Sequence, residues 1–564
     1  MNKQQIYTKV ADLYGEAQAE SITADILALV EKWRGKAPQY PNWVDQTSSF
    51  LITYGDSFCS EGEPTLQTMK RFADKYLKDA ISNIHILPMF PYTSDDGFSV
   101  VDYRKVDENL GDWAELNALA ENFDLMYDCV INHISKSSDW FQRFLAGDEA
   151  YQDYFVVSDP NLDYSSVTRP RALPLLTPFT KANGEIAHVW TTFSDDQIDI
   201  NFHSPKVLLE SIDILLMYAA NGGRSVRLDA IGFIWKVLNT TCIHLPQAHE
   251  IIKLWRIVLD KVMPGSLLIT ETNVPHKENI SYFGDGDEAH MVYQFPLPPL
   301  TLHAFLGQDS QVLTQWAKGL TAEAMASLEA GRKTTYFNFL ASHDGIGVRP
   351  TEGILTNQDR QMMCEQVERK GGRVNYKNNG DGTQSPYELN INYLSAITEP
   401  QDSVEQKANK FLAAQAILLS FIGVPAVYYH SLLGSENDVQ GMVESGINRR
   451  INREKFELAN LEAELAESGS LRNRIYNEMT RLLALRKQQV AFAPTSKQLV
   501  LELSPQLFGL QRGEGAESIR FVVNLSEQQQ HVTLDAGGTD LVSGEAFEAQ
   551  FTLNPYQFVW LANE

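Results

Sequence analysis

The sequence predicts an α/β protein built on a closed (β/α)8 TIM barrel, with an inserted lobe after strand 3, a long loop region after strand 7 and a C-terminal β domain. Three observations predict it. Apolar, strand-like runs alternate with helical stretches along most of the chain, the rhythm of parallel β/α units. Four of these runs end in polar clusters: DCVINH (128–133), VRLDAIGF (226–233), ITETN (269–273) and LASHD (340–344). Each cluster offers a carboxylate with an Arg, His or Asn beside it, as expected where the C-terminal ends of strands share one pocket. From residue 497 the texture changes to short alternating runs.

Residues 1–48 read as an N-terminal helical extension. Leu27, Ala28, Val30 and Trp33 fall on roughly helical spacing, and Pro38 and Pro41 break the pattern. The catalytic barrel is placed at residues 49–488. Strands are read in SSFLITYGD (48–56), IHILPMFPY (84–92), DLMYDCVI (124–131), RSVRLDA (224–230), SLLITET (266–272), MVYQF (291–295), YFNFLAS (336–342) and a run ending near Tyr429. Residues 135–204 show little periodicity and are rich in Asp and Pro, so they form a lobe over the barrel mouth. Residues 345–400 read as a second loose region, with Gly371-Gly372 and NNGDG at 378–382. The uncharged run 411–429 is interrupted by Gln415, Ser420 and Pro425, and reads as a core helix and strand rather than a membrane span. Residues 461–487 are helical, with a break at Ser468-Gly469-Ser470. Residues 489–564 form the β domain, through LVLELS, LFGLQR, IRFVVNLS, QHVTL, FEAQFTL and QFVWLAN.

Composition narrows the partners. Lys+Arg 47 against Asp+Glu 72 leaves the 564-residue chain at −25. Such a surface disfavours nucleic acid and anionic membranes, and any anionic substrate must meet a local basic site. Cys59, Cys129, Cys242 and Cys364 are scattered with no CxxC, which suggests neither a zinc site nor a disulfide framework. Cys129 lies in an apolar strand and reads as a buried thiol. The opening MNKQQIYTKV lacks an apolar signal region, so a cytoplasmic location is expected.

The clustered carboxylates suit glycoside chemistry. Arg227 precedes Asp229 by two, so both side chains point to one face of a strand, and the guanidinium favours an ionised Asp229. Burial near other carboxylates would raise the pKa of Glu271. Any single Asp here reads equally well as a satisfied strand-end charge; the set of four motifs does not. In that order they resemble the α-amylase superfamily of retaining enzymes acting on α-glucosides. The resemblance implies that Asp229 is the nucleophile, Glu271 the general acid/base and Asp344 the carboxylate holding the sugar hydroxyls. His133 and His343 match positions that bind the glucosyl ring. The implied reaction is a double displacement with net retention, its carboxyl groups roughly 5–5.5 Å apart.

Within that superfamily, FPYTSDDGFSVVDYRKV (90–106), TRPRALPLLTPF (168–179), TTFSDDQIDIN (191–201), FPLPPLTLHA (295–304) and SHDGIGV (342–348) look like the sucrose-phosphorylase group, which passes a glucosyl unit to inorganic phosphate and releases α-glucose 1-phosphate. By that resemblance Asp95, Arg227 and Arg449 serve the donor subsite, Phe193 and Phe233 are its apolar walls, and Gln197 is a polar member. Arg171 matches an arginine of the phosphate and acceptor side. The loop GIGVRPTEGIL (345–355) and the long leader depart from sucrose enzymes and resemble members acting on glucosides of glycerol or glycerate. Arg349 suits a glycerate carboxylate. Glu352, if it faces the pocket, repels glycerate and accepts hydrogen bonds from a glycerol diol. The expectation therefore leans to 2-O-α-glucosylglycerol, then glucosylglycerate, then sucrose or sucrose 6′-phosphate. A retaining hydrolase or transglucosidase with the same triad is the alternative. A non-catalytic binding protein is disfavoured, because both Asp229 and Glu271 are present. No cofactor is expected. No metal is expected either, although amylases often hold Ca²⁺ through the Asn of the first motif, here Asn132. The expected partners are a small-molecule glucoside and phosphate, in a monomer or homodimer.

Overall fold

The computed structural model describes residues 3–379 and 381–563. Residues 1–2 of the leader and Gly380 of the NNGDG run therefore lie outside the described residues. Eight parallel strands close into a barrel in simple chain order. They are β1 (Phe50–Thr53), β2 (Asn83–Ile86), β3 (Asp124–Cys129), β4 (Gly223–Asp229), β5 (Leu267–Glu271), β6 (Met291–Tyr293), β7 (Thr335–Asn338) and β8 (Val424–Tyr428), which pairs with β1. Each coincides with one of the eight runs read above. Buried on both faces, such strands show near-continuous apolar runs, which is why they stand out in the sequence.

Register places the chemistry. Asp128 on β3 stands opposite Arg227 on β4. Asp229, one pleat further along β4, stands opposite Glu271 at the end of β5. Side chains two apart share a face, so Arg227 and Asp229 both point to the barrel axis.

The lobe after β3 is more ordered than its composition suggests. It contains the helix Asp139–Ala146, capped by Ser138, and the hairpin of Leu176–Thr180 with Ile186–Trp190. Residues 345–400 are not loose. Strand Gln384–Asn390 pairs with both Ile346–Gly347 and Arg373–Asn378. Helix Asn357–Arg369 starts at a capping box made by Thr356 and Asp359. That helix carries few apolar residues and buries only Met363, Cys364 and Val367, so periodicity gives little signal.

The leader forms two packed helices, α1 (Lys3–Tyr14) and α2 (Glu16–Trp33), turned at Gly15 with φ 86°. Ile6, Val10, Ile22, Ile26 and Val30 bury themselves against helices Pro205–Ala220 and Pro246–Val262 outside β4. Lys9 to Glu250 at 2.7 Å and Lys32 to Asp213 at 2.8 Å flank that seam. The run 411–429 becomes part of the buried helix Val404–Ser420 and then β8. No helix among the described residues is long and apolar enough to cross a membrane. The C-terminal six-stranded sheet docks on that helix: Trp560 Nε1 donates to Ser420 Oγ at 2.8 Å, and Arg512 to the Ser420 carbonyl at 2.9 Å.

Candidate active site

A pocket open at one side lies at the C-terminal end of the barrel. Asp95, His133, Arg171, Phe193, Gln197, Arg227, Asp229, Phe233, Glu271, His343, Asp344, Arg349 and Arg449 all line it. Residues from positions 95 to 449 thus meet at one mouth.

At its floor Arg227, 1% exposed, is shared among carboxylates. Its Nη1 donates to Asp128 Oδ1 and to Asp229 Oδ1, the latter at 2.9 Å. Its Nη2 stands 3.6 Å from Glu271 Oε2, and its Nε donates to Tyr293 OH at 3.0 Å. Asp128 also binds His85 Nε2 at 2.7 Å. One guanidinium divided in this way does not offset burial. Burial, with Asp128 nearby, pushes Asp229 up to about 6 even though Arg227 works against it. Burial, with Asp229 and Asp344 nearby, pushes Glu271 up to about 7. For Asp344 burial acts in the same sense, but His343, Arg449 and Arg453 outweigh it and hold the carboxyl well below the usual range. The three acids are therefore graded, with Asp344 the strongest and Glu271 the weakest.

This grading has a pH consequence. The form with Asp229 ionised and Glu271 protonated is most populated between the two macroscopic values of the pair. The expected kcat/KM profile is a bell with an acid limb near 6 and a basic limb near 7. A flat profile from pH 5 to 8 would sink this assignment.

The lobe contributes Phe193 and Gln197 to the apolar side. Phe193 packs edge-on against Phe233 at 5.5 Å and tilted against His133 at 5.2 Å. His133 Nε2 and Gln197 Nε2 both donate to the Phe98 carbonyl, at 3.0 and 3.2 Å, and Gln197 also donates to Asp95 Oδ2 at 3.0 Å. His343 stacks on Phe98 at 5.1 Å. Asp95 and Asp96 both adopt left-handed φ, 55° and 47°. The turn is pinned by Asp96, which accepts from Arg450 and Arg453 at 2.6 Å each. These pins override the local backbone preference.

Glu352 does not belong to the pocket. The 3-10 turn Arg349–Thr351 buries Pro350 and Thr351 and leaves Glu352 exposed, where it accepts from Lys377 Nζ at 3.1 Å. Sequence reasoning missed Asp128 and Tyr293 as partners of Arg227 and His85 as the partner of Asp128, and missed Glu388, which grips Arg449. DCVINH displayed Asp128, but nothing in the sequence says which side chain it meets. Glu388 carried no signal.

Around Asn132 the residues do not form a calcium cage. Lys236 Nζ already supplies a cation there, 2.9 Å from Asp199 Oδ2, 2.6 Å from the Phe233 carbonyl and 3.5 Å from Asn132 Oδ1. Among the described residues no cluster of three or more His, Cys, Asp or Glu is placed to hold a metal ion.

Comparison with known proteins adds independent findings. Residues 60–367 match the alpha amylase catalytic domain, and residues 512–557 match a beta-galactosidase C-terminal domain. The chain is 45% identical to the glucosylglycerate phosphorylase of Spirochaeta thermophila, over 97% of both chains. It is 46% identical to that of Allomeiothermus silvanus, over 99% of this chain and 98% of the other. The glucosylglycerol phosphorylase of Marinobacter adhaerens is 28% identical, over 74% of this chain and 83% of the other. The crystal structure of sucrose 6F-phosphate phosphorylase from Thermoanaerobacter thermosaccharolyticum matches with a TM-score of 0.73 at 24% identity, over 90% of this chain and 98% of that one, a likeness of fold.

Proposed function

Because the chain belongs to the α-amylase family, and to the retaining glucoside phosphorylases within it, we propose that it transfers the glucosyl unit of glucosylglycerate to inorganic phosphate, releasing glycerate and α-glucose 1-phosphate. The observation that carries this reading is a pair of uncommitted cations. Arg171 and Arg349 line the pocket, and neither has an ion pair or a side-chain hydrogen bond among the described residues. Arg349 Nε is buried with no partner, and the Arg171 guanidinium lies over Phe193 at 5.9 Å. In a chain of −25 such cations call for anionic ligands. Phosphate is one, and the carboxylate of glycerate is the second. Identity near 45% along the whole length to two glucosylglycerate phosphorylases points the same way. The glycerol alternative rested on repulsion by Glu352, whose carboxylate stands outside the cavity.

The mechanism follows from the graded acids. Asp229 attacks the anomeric carbon while Glu271 protonates the leaving oxygen of glycerate, and a β-glucosyl-enzyme forms. Asp344, kept ionised beside Arg449 at 2.9 Å, holds the ring hydroxyls and offsets charge developing on the ring. Phosphate, held by the free arginines, then attacks the anomeric carbon from the opposite face, breaking the bond to Asp229 and returning its proton to the Glu271 carboxylate, which restores the α configuration and both starting acids.

The test is release of α-glucose 1-phosphate, with phosphate present, from sucrose, sucrose 6′-phosphate, glucosylglycerol and glucosylglycerate in parallel. Fastest release from glucosylglycerate is expected. Preference for glucosylglycerol would overturn the aglycone, and free glucose as the main product would overturn phosphorolysis. Arg349→Ala is expected to raise KM for glucosylglycerate about tenfold or more, the size of a lost charge-assisted hydrogen bond. Its effect on glucosylglycerol should be smaller, and equal effects on both donors would remove Arg349 from the aglycone site.

A further inference from the structure

Glu388 stands inside the pocket yet takes no part in the displacement described above. It lies on strand Gln384–Asn390, opposite Gly347, and is 3% exposed. Both its oxygens go to one guanidinium: Arg449 Nε donates to Oε1 at 2.9 Å and Nη2 to Oε2 at 2.7 Å. The remaining Arg449 Nη1 goes to Asp344. Gly345 makes room for this grip, since a Cβ there would run into the Glu388 side chain. A buried acid is an odd neighbour in a pocket that must receive phosphate, unless its charge is needed against a cation.

The distribution of guanidinium groups supplies the need. Beside the reacting carboxylates each one is taken: Arg227 by Asp128 and Asp229, Arg453 by Asp96, and Arg449 by Asp344 and Glu388. Arg171 and Arg349 are not. We infer that Glu388 keeps anions off the donor side of the pocket, by occupying the Arg449 guanidinium that inorganic phosphate would otherwise bind. This rests on the phosphorylase reading of the same pocket. Without Glu388, Arg449 would turn a two-pronged donor toward the sugar subsite, a geometry that matches phosphate. Phosphate there would compete with the glucosyl ring instead of attacking it. With Glu388 in place phosphate is confined to the Arg171 and Arg349 side, where it serves as acceptor. Glu388 acts through Arg449 and is a positioning residue.

The test is calorimetric titration of the full chain with inorganic phosphate, with and without saturating glucose. The native protein is expected to bind phosphate in a way that glucose leaves in place. Glu388→Gln is expected to gain phosphate binding that glucose displaces, with affinity weakened about tenfold or more by the sugar. Its phosphorolysis rate should also fall at high phosphate, where the native enzyme reaches a plateau. Glu388→Asp keeps the charge and is expected to show no second phosphate. A folded Glu388→Gln without glucose-displaceable phosphate would overturn the inference, as would such binding in the native protein or in Glu388→Asp. If both variants fail to fold, the grip is a packing element and the inference also falls. No glucoside enters the titration, so a different aglycone leaves its result standing. Failure of the phosphorylase reading would instead show as no phosphate binding by the native protein.

Discussion

Asp229→Asn is expected to lower kcat by about 10⁴-fold or more, because in the proposed mechanism its carboxylate forms the bond to the anomeric carbon. The amide keeps the shape of the carboxyl, and its oxygen can still accept from Arg227, which now bonds Asp229 Oδ1 at 2.9 Å. The loss should therefore appear in chemistry and not in folding. Asp229 has its pKa raised by burial, to about 6, so its ionised form opposes folding as pH rises from the unfolded value through that point. Removing the charge relieves this cost, and the variant should melt no lower than the native enzyme at pH 8. The assay must include a donor that needs no acid, such as α-glucosyl fluoride with phosphate. Silence with that donor places the defect at the nucleophile. Turnover of the fluoride at near-native rate would show that another residue attacks.

Glu271→Gln separates the other half of the mechanism. It should slow release of glycerate by about 10²–10⁴-fold, the usual worth of a general acid. Fluoride leaves without a proton, so turnover of α-glucosyl fluoride should recover to within about tenfold of the native rate. Phosphate arrives already charged and needs little help from a base, whereas water needs it. The variant should therefore transfer to phosphate while losing hydrolysis. Equal slowing with glucosylglycerate and with the fluoride would remove Glu271 from the acid role. Its pKa is raised to about 7, mainly by burial, so loss of this carboxyl should also flatten the fall in stability between the unfolded value and pH 7.

Much of the candidate site was legible because barrel architecture turns strand ends into a shared pocket. Asp229 and Glu271 could be nominated from VRLDA and ITET, and register then set them side by side. Arg227 was legible as a neighbour of Asp229 through the two-residue period. Its division among Asp128, Asp229 and Glu271 was not, because that depends on three strands meeting at one level. Arg227 does favour the ionised Asp229, as expected, but burial outweighs it.

Glu352 and Glu388 show the limit most clearly. Both are acids in the stretch that read as loose, and nothing local distinguishes them. A single 3-10 turn sends Glu352 out to Lys377, while strand pairing carries Glu388 in to Arg449, sixty-one positions away. The sequence by itself determined the barrel, its eight strands and the presence of an arginine-bearing loop, which rest on periodicity and on residues adjacent in the chain, and it nominated Asp229 and Glu271 through the motifs that carry them. Only the tertiary structure decided which cations stay free for anions and which are already paired. That depends on contacts between distant segments, where burial makes each charge find a partner or keep a place for a ligand.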